Sequence, residues 1–120
     1  MHEFSICRGI VKAVLEELDK LGSQPPPLKS VRIAVGDLHQ IVPDTLEFAY
    51  KSMTRGTAAE GSELRIRFVP VEIKCGKCGW QGNVKNSMFL CAECKATEID
   101  MLQGMEMVLE NLEVEEPEED

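Results

Sequence analysis

The sequence predicts an α+β protein, two helices on a small mixed β-sheet, interrupted by a compact segment organised around four cysteines. Three observations carry that reading. Apolar residues of the first twenty positions recur at three- and four-residue steps. Short strand-like runs lie at 31–35 and 64–68. Two C-x-x-C pairs, Cys75/Cys78 and Cys91/Cys94, stand twelve residues apart. With 120 residues and 43% hydrophobic content, the chain is long enough for one domain plus a small appendage, and too apolar to be disordered throughout. No apolar run approaches the roughly 18 residues of a membrane span, and nothing at the start resembles a signal peptide. A cytoplasmic protein without membrane attachment is expected.

The elements follow in order. Ile6, Cys7, Ile10, Val11, Val14, Leu15, Leu18 and Leu21 form the inner stripe of a first helix, with Arg8, Lys12, Glu16, Glu17 and Lys20 between them. Gly22 is its expected stop, and Pro25-Pro26-Pro27 cannot continue it. Cys7 falls on the stripe as a small core hydrophobe. Val31 to Val35 reads as a strand ended by Gly36-Asp37. A second helix starts near Pro43, a residue suited to the first helical position, with Leu46, Ala49, Tyr50 and Met53 facing inward. Leu64 to Phe68 alternates as a half-buried strand, and Pro70 marks an edge or a change of direction. Ile99–Met101 and Met105–Val114 read as closing strands, although Met105, Val108, Leu109 and Leu112 also fit a helical period. The organisation expected is a discontinuous body, 1–70 plus 101–120, into which the cysteine segment 71–100 is inserted.

Charge narrows the function classes. The net charge is −8, and six of the last eight residues are acidic, so a solvated tail over 113–120 is expected and the remaining chain is nearly balanced. Lys74, Lys77, Lys85 and Lys95 tint the cysteine segment basic, but an acidic protein lacks the patch that nucleic-acid phosphates require. No nucleic-acid partner is expected.

Cys75, Cys78, Cys91 and Cys94 fit a tetrahedral zinc site, because two residues between paired cysteines let both sulfurs of a tight turn reach one ion. Gly79 suits such a turn by adopting positive φ. The twelve-residue connection, with Trp80, Val84, Met88 and Phe89, is long enough for a hairpin. Four protein ligands leave no open position, so the ion is structural, and the segment is zinc-ribbon-like. An iron centre shares the spacing, and a redox dithiol and a nucleic-acid-binding ribbon are the other readings.

The opening Met1-His2-Glu3 is a second metal motif. A terminal amine, the His2 amide nitrogen and the His2 imidazole share two small chelate rings and lie in one plane, an arrangement that suits Ni(II) or Cu(II) rather than Zn(II). The Glu3 amide is a candidate fourth donor, and its carboxylate a neighbour of the site. Met1 is expected to be retained because His2 is large. His39, the only other histidine, is read as an exposed loop residue.

Met1-His2-Glu3 opening a helix, Val35-Gly36-Asp37-Leu38, Thr54-Arg55-Gly56-Thr57, Glu60-Gly61-Ser62-Glu63-Leu64, the two C-x-x-C pairs and Leu102-Gln103-Gly104 occur in the order that resembles the HypA family of nickel metallochaperones for [NiFe]-hydrogenase maturation. The resemblance implies that the body is a nickel domain and the insertion a zinc domain. It makes His2 the ligand of the transferred Ni2+ together with the amine of Met1, Glu3 a neighbour important to delivery, and Cys75, Cys78, Cys91 and Cys94 the Zn2+ ligands. The implied partners are the GTPase HypB and the hydrogenase large-subunit precursor. No enzymatic activity is implied, which fits the absence of a G-x-x-x-x-G-K loop. Gly79 and Lys95 stand directly after the cysteine pairs, where some family members carry histidine.

Overall fold

The computed structural model describes residues 3–84 and 88–115. Helix α1 spans Glu3–Asp19 and helix α2 Pro43–Met53. The strands are β1 (Leu28–Gly36), β2 (Glu63–Val69), β3 (Glu72–Cys75), β4 (Gln81–Asn83), β5 (Ile99–Gln103) and β6 (Met107–Val114). They form two three-stranded sheets, ordered β2-β1-β6 and β4-β3-β5. The α+β class is therefore observed. Among the described residues no helix is long and apolar enough to cross a membrane.

The chain divides into two compact units. The first gathers the chain up to Ala34, Ile41–Arg67 and the chain from Val108. Its core is drawn from α1 (Cys7, Ile10, Val11, Val14, Leu18), from β1 (Val31, Ile33) and from α2 (Leu46, Ala49, Tyr50), and the two helices pack on each other. The 3.6-residue period singles out these helix residues; of the others it names, Ile6, Leu15 and Met53 are half-buried and Leu21, in the turn after α1, is exposed. Gly22 closes that turn at φ +110°. Pro43 occupies the first turn of α2, as its fixed φ favours. Cys7 has no exposed surface, and burial pushes its thiol up to about 11. In β2, Leu64 and Val69 turn inward while Phe68 is exposed, so the alternation is lost at the strand's end.

The closing segment is a strand. Helical and β periods compete in Met105–Val114, and β6 forms because β1 offers it an unpaired edge. It continues into the acidic run: where the sequence reads a solvated tail from Glu113, the Glu113 carboxylate accepts a hydrogen bond from the buried Ser30 hydroxyl (3.2 Å) and pairs with Lys29 (3.5 Å). The Ser30 hydroxyl, then Lys29, hold this carboxyl below the usual carboxylate range. The rest of the acidic run beyond Glu115 lies outside the described residues.

The second unit consists of Val35–Gln40 and Phe68–Met107. Two sequence motifs meet in it. The Gly36 amide donates to Glu106 O (2.8 Å) and the Leu38 amide to Gly104 O (3.0 Å). A Cβ on Gly36 would lie 1.9 Å from that same Gly104 oxygen, and Gly104, at φ +112°, passes so close to Val71 that a Cβ there would meet its Cα at 2.6 Å. Gly36 is thus required by close approach of two backbones, which explains Val35-Gly36-Asp37-Leu38 and Leu102-Gln103-Gly104 together. Gly36→Ala is expected to lower stability by about 1–3 kcal/mol, the usual cost of forcing an extra carbon into a packed site. Denaturant midpoints of the two proteins measure it; equal midpoints would show that these backbones separate without cost.

Candidate metal centre

The sulfur cluster is built by two turns that copy each other bond for bond. In the first, Cys75 ends β3, its N–H donates to Trp80 O (2.7 Å), and the Gly79 N–H returns to Cys75 O (3.2 Å). In the second, the Cys91 N–H donates to Ala96 O (2.9 Å) and the Lys95 N–H returns to Cys91 O (3.0 Å). The leading sulfur of each turn accepts two backbone N–H groups. Cys75 Sγ receives those of Lys77 (3.3 Å) and Cys78 (3.4 Å), and Cys91 Sγ those of Glu93 and Cys94 (both 3.3 Å).

Each turn needs a left-handed residue after its second cysteine. Gly79 supplies it at φ +80°, as its position suggests. The matching residue of the second turn is Lys95 at φ +63°, whose Nζ donates back to Ala92 O (3.1 Å). A side chain in that region costs about 1–2 kcal/mol. Nothing in the one-letter code marks Lys95 as left-handed; only alignment of the two turns on each other does.

A hairpin encloses the first cysteine turn: β3 and β4 pair antiparallel around it, with Glu72 opposite Asn83, Ile73 opposite Gly82 and Lys74 opposite Gln81. On its other side β3 pairs with β5, which sets Cys75 opposite Ile99. The apolar Ile73, fully buried at the centre of this small sheet, holds the first turn in place.

The four sulfurs lie within 4.8 Å of one another. Cys75–Cys94 are 3.7 Å apart and Cys78–Cys91 3.5 Å. A tetrahedral zinc with bonds of about 2.3 Å requires sulfurs about 3.8 Å apart, so the two short pairs are near that spacing and the donor set fits such an ion. The thiols are also electrostatically split. The N–H groups of Cys78 and Lys77 lower Cys75 to about 6. At Cys91 burial acts upward, but the Cys94 and Glu93 amides prevail and its pKa is lowered. At Cys78 the Trp80 amide acts downward, yet the bond to Cys91, burial and the other thiols push it up to about 12. Cys94 is raised for the same reasons, against the pull of the Ala96 amide. Four thiolates this close repel, and a bound divalent cation removes that conflict.

The other sequence-derived residues fall as follows. Met1 and His2 lie outside the described residues. Glu3 is the first residue of α1 and is buried, with 5% exposure. His39 belongs to a one-turn 3-10 helix, Asp37–His39, rather than to an irregular loop; its Nε2 is 3.0 Å from Met105 O. The segment 54–64 is a polar hub. Thr54 Oγ1 donates to Tyr50 O (2.8 Å), Thr57 Oγ1 to Thr54 O (2.6 Å) and Ser62 Oγ to Ala59 O (2.6 Å), while Tyr50 and Ser62 hydroxyls meet at 2.7 Å. The same three carbonyls also accept the backbone N–H groups of Thr54, Thr57 and Ser62, so the hydroxyls add second bonds that brace the turns after α2.

Comparison with known proteins agrees over nearly the whole chain. Residues 1–114 match the family model described as hydrogenase/urease nickel incorporation, metallochaperone, hypA. Hydrogenase maturation factor HypA of Desulfitobacterium hafniense is 35% identical over 116 residues, covering 97% of this chain and 100% of that one. The protein of the same name from Lawsonia intracellularis is 36% identical over 120 residues, covering 96% and 100%. Among solved structures, the solution structure of the Ni metallochaperone HypA from Helicobacter pylori superposes with a TM-score of 0.64 at 22% identity, over 95% of this chain and 97% of that one.

Proposed function

The chain belongs to the HypA family of nickel-incorporation metallochaperones, and on that premise we propose that it takes up Ni(II) at Met1-His2-Glu3 and delivers it for [NiFe]-hydrogenase maturation. The observation that carries this reading is the extent of the family match, residues 1–114, which includes Met1-His2-Glu3 and all four cysteines. Nickel is cargo. The Met1 amine, the His2 amide and the His2 imidazole would form a planar chelate, with the Glu3 amide as fourth donor. Glu3 begins α1, and first-turn amides stand outside a helix's i→i−4 ladder, so coordination there costs the helix none of those bonds.

The four cysteines hold zinc, which has a structural role in a unit with little apolar core of its own. Soft thiolates select that ion while planar nitrogens select nickel, so one protein keeps two metals apart by ligand chemistry. The protein acts by contact rather than catalysis, and its partners are the GTPase HypB and the hydrogenase large-subunit precursor, met in the cytoplasm.

The test is Ni(II) titration of tag-free protein by calorimetry and absorption, beside His2→Ala, with zinc counted by elemental analysis. The native protein should bind about one nickel with the weak d–d band of a planar site, and the variant should lose it while keeping about one zinc. Nickel binding that is unchanged in His2→Ala would refute the proposed ligand set.

A further inference from the structure

The four sulfurs are chemically unequal in a way that a tetrahedral metal site does not require. Cys75 and Cys91 are buried, with 2% and 0% exposure, and each sulfur accepts two backbone N–H groups that draw off its charge. Cys78 and Cys94, the second members of their turns, are exposed. Each exposed cysteine also has a buried partner across the cluster, on the other turn: Cys78 with Cys91 at 3.5 Å and Cys94 with Cys75 at 3.7 Å. Exposure sets where an oxidant arrives, and these contacts set which sulfur answers it.

We propose that Cys78 and Cys94 are a peroxide-reactive pair, each resolved by the buried cysteine of the opposite turn, so that oxidation converts the metal site into two cross-turn disulfides and releases its zinc. The chemistry balances with peroxide as the only oxidant. In the zinc-loaded site all four sulfurs are held as thiolates by the ion; that of Cys78 attacks one peroxide oxygen, the O–O bond breaks, and Cys78 becomes a sulfenic acid with loss of hydroxide. The Cys91 thiolate then attacks the Cys78 sulfur, the S–S bond forms, and the sulfenic oxygen leaves as hydroxide. Two thiolates and one peroxide thus give one disulfide and two hydroxides. A second peroxide does the same at Cys94 and Cys75. Loss of the anionic sulfurs removes the donors, and the ion departs. Cys7, fully buried in the first unit, has no route to the oxidant and stays reduced.

This rests on the zinc reading, and the experiment separates the two. Zinc is first counted in the untreated full-length protein; its absence there refutes the zinc assignment before any oxidant is added. The protein is then exposed to hydrogen peroxide while a chromogenic chelator reports released zinc, a dimedone-type reagent traps sulfenic acid, and peptide mass mapping assigns the linkages. The expected result is release of about one zinc per chain, first trapping at Cys78 or Cys94, linkages Cys78–Cys91 and Cys75–Cys94, and unmodified Cys7. Reductant with added zinc should restore the starting content. Zinc retained under excess peroxide, first trapping at Cys75 or Cys91, or linkages within the pairs Cys75–Cys78 and Cys91–Cys94 would each overturn the proposal.

Discussion

One extra residue placed before Met1 is expected to abolish tight Ni(II) binding while zinc stays at about one per chain. The proposed nickel site depends on a primary amine separated from the His2 imidazole by one amide. An added residue turns that amine into another amide and carries the new amine out of both chelate rings. Even an outer-shell partner is worth roughly 10–100-fold in metal affinity, so loss of a direct donor should exceed that range. Calorimetry on the extended and native proteins decides the matter. Tight, stoichiometric binding by the extended form would sink the terminal-amine model, even if His2 still mattered. Because amide coordination expels protons, affinity in the native protein should also fall as pH is lowered, which gives the planar site a second signature.

Stripping zinc with a strong chelator is expected to unfold the second unit and leave the first folded. The second unit rests on two three- to five-residue strands beside β3 and few buried apolar residues, chiefly Ile73, Val35 and Val71. That is too little core to offset the entropy of ordering its loops. Structural zinc supplies an apparent 10–16 kcal/mol, roughly, in small metal-folded segments. Without it the sulfurs stay close only as a mixture of thiols and thiolates, with Cys75 lowered to about 6 and Cys78 up to about 12. Amide exchange is the discriminating measurement. Protection should vanish from Glu72–Cys75, Gln81–Asn83 and Ile99–Gln103, while α1 and α2 keep theirs and the helical circular dichroism survives. Persistent protection across β3 in metal-free protein would show that the unit folds by its own core.

How much of this was legible beforehand depends on the distance over which each feature is specified. The apolar stripe of α1 and the start of α2 at Pro43 follow from residues within one or two turns of each other, and both are where the period places them. The sulfur quartet was equally plain, because C-x-x-C spacing is itself the geometry of a two-sulfur turn. Local chemistry read Gly79 correctly for the same reason.

The sequence by itself therefore determined the helices, the likeness to a known family and the four cysteines that could hold a metal ion, since each is written in short-range spacing. Tertiary structure alone decided that Met107–Val114 is a strand, that Glu113 belongs to the sheet through Ser30, that the hairpin encloses the first cysteine turn, and that Gly36 must be glycine because Gly104 lies against it. It also decided that Cys75 and Cys91 are sheltered while Cys78 and Cys94 are exposed. Those outcomes depend on which distant segment comes to lie alongside. Pairing partners and burial are properties of the assembled backbone, and a periodic pattern that satisfies two local geometries equally leaves the choice to whichever neighbour completes its hydrogen bonds.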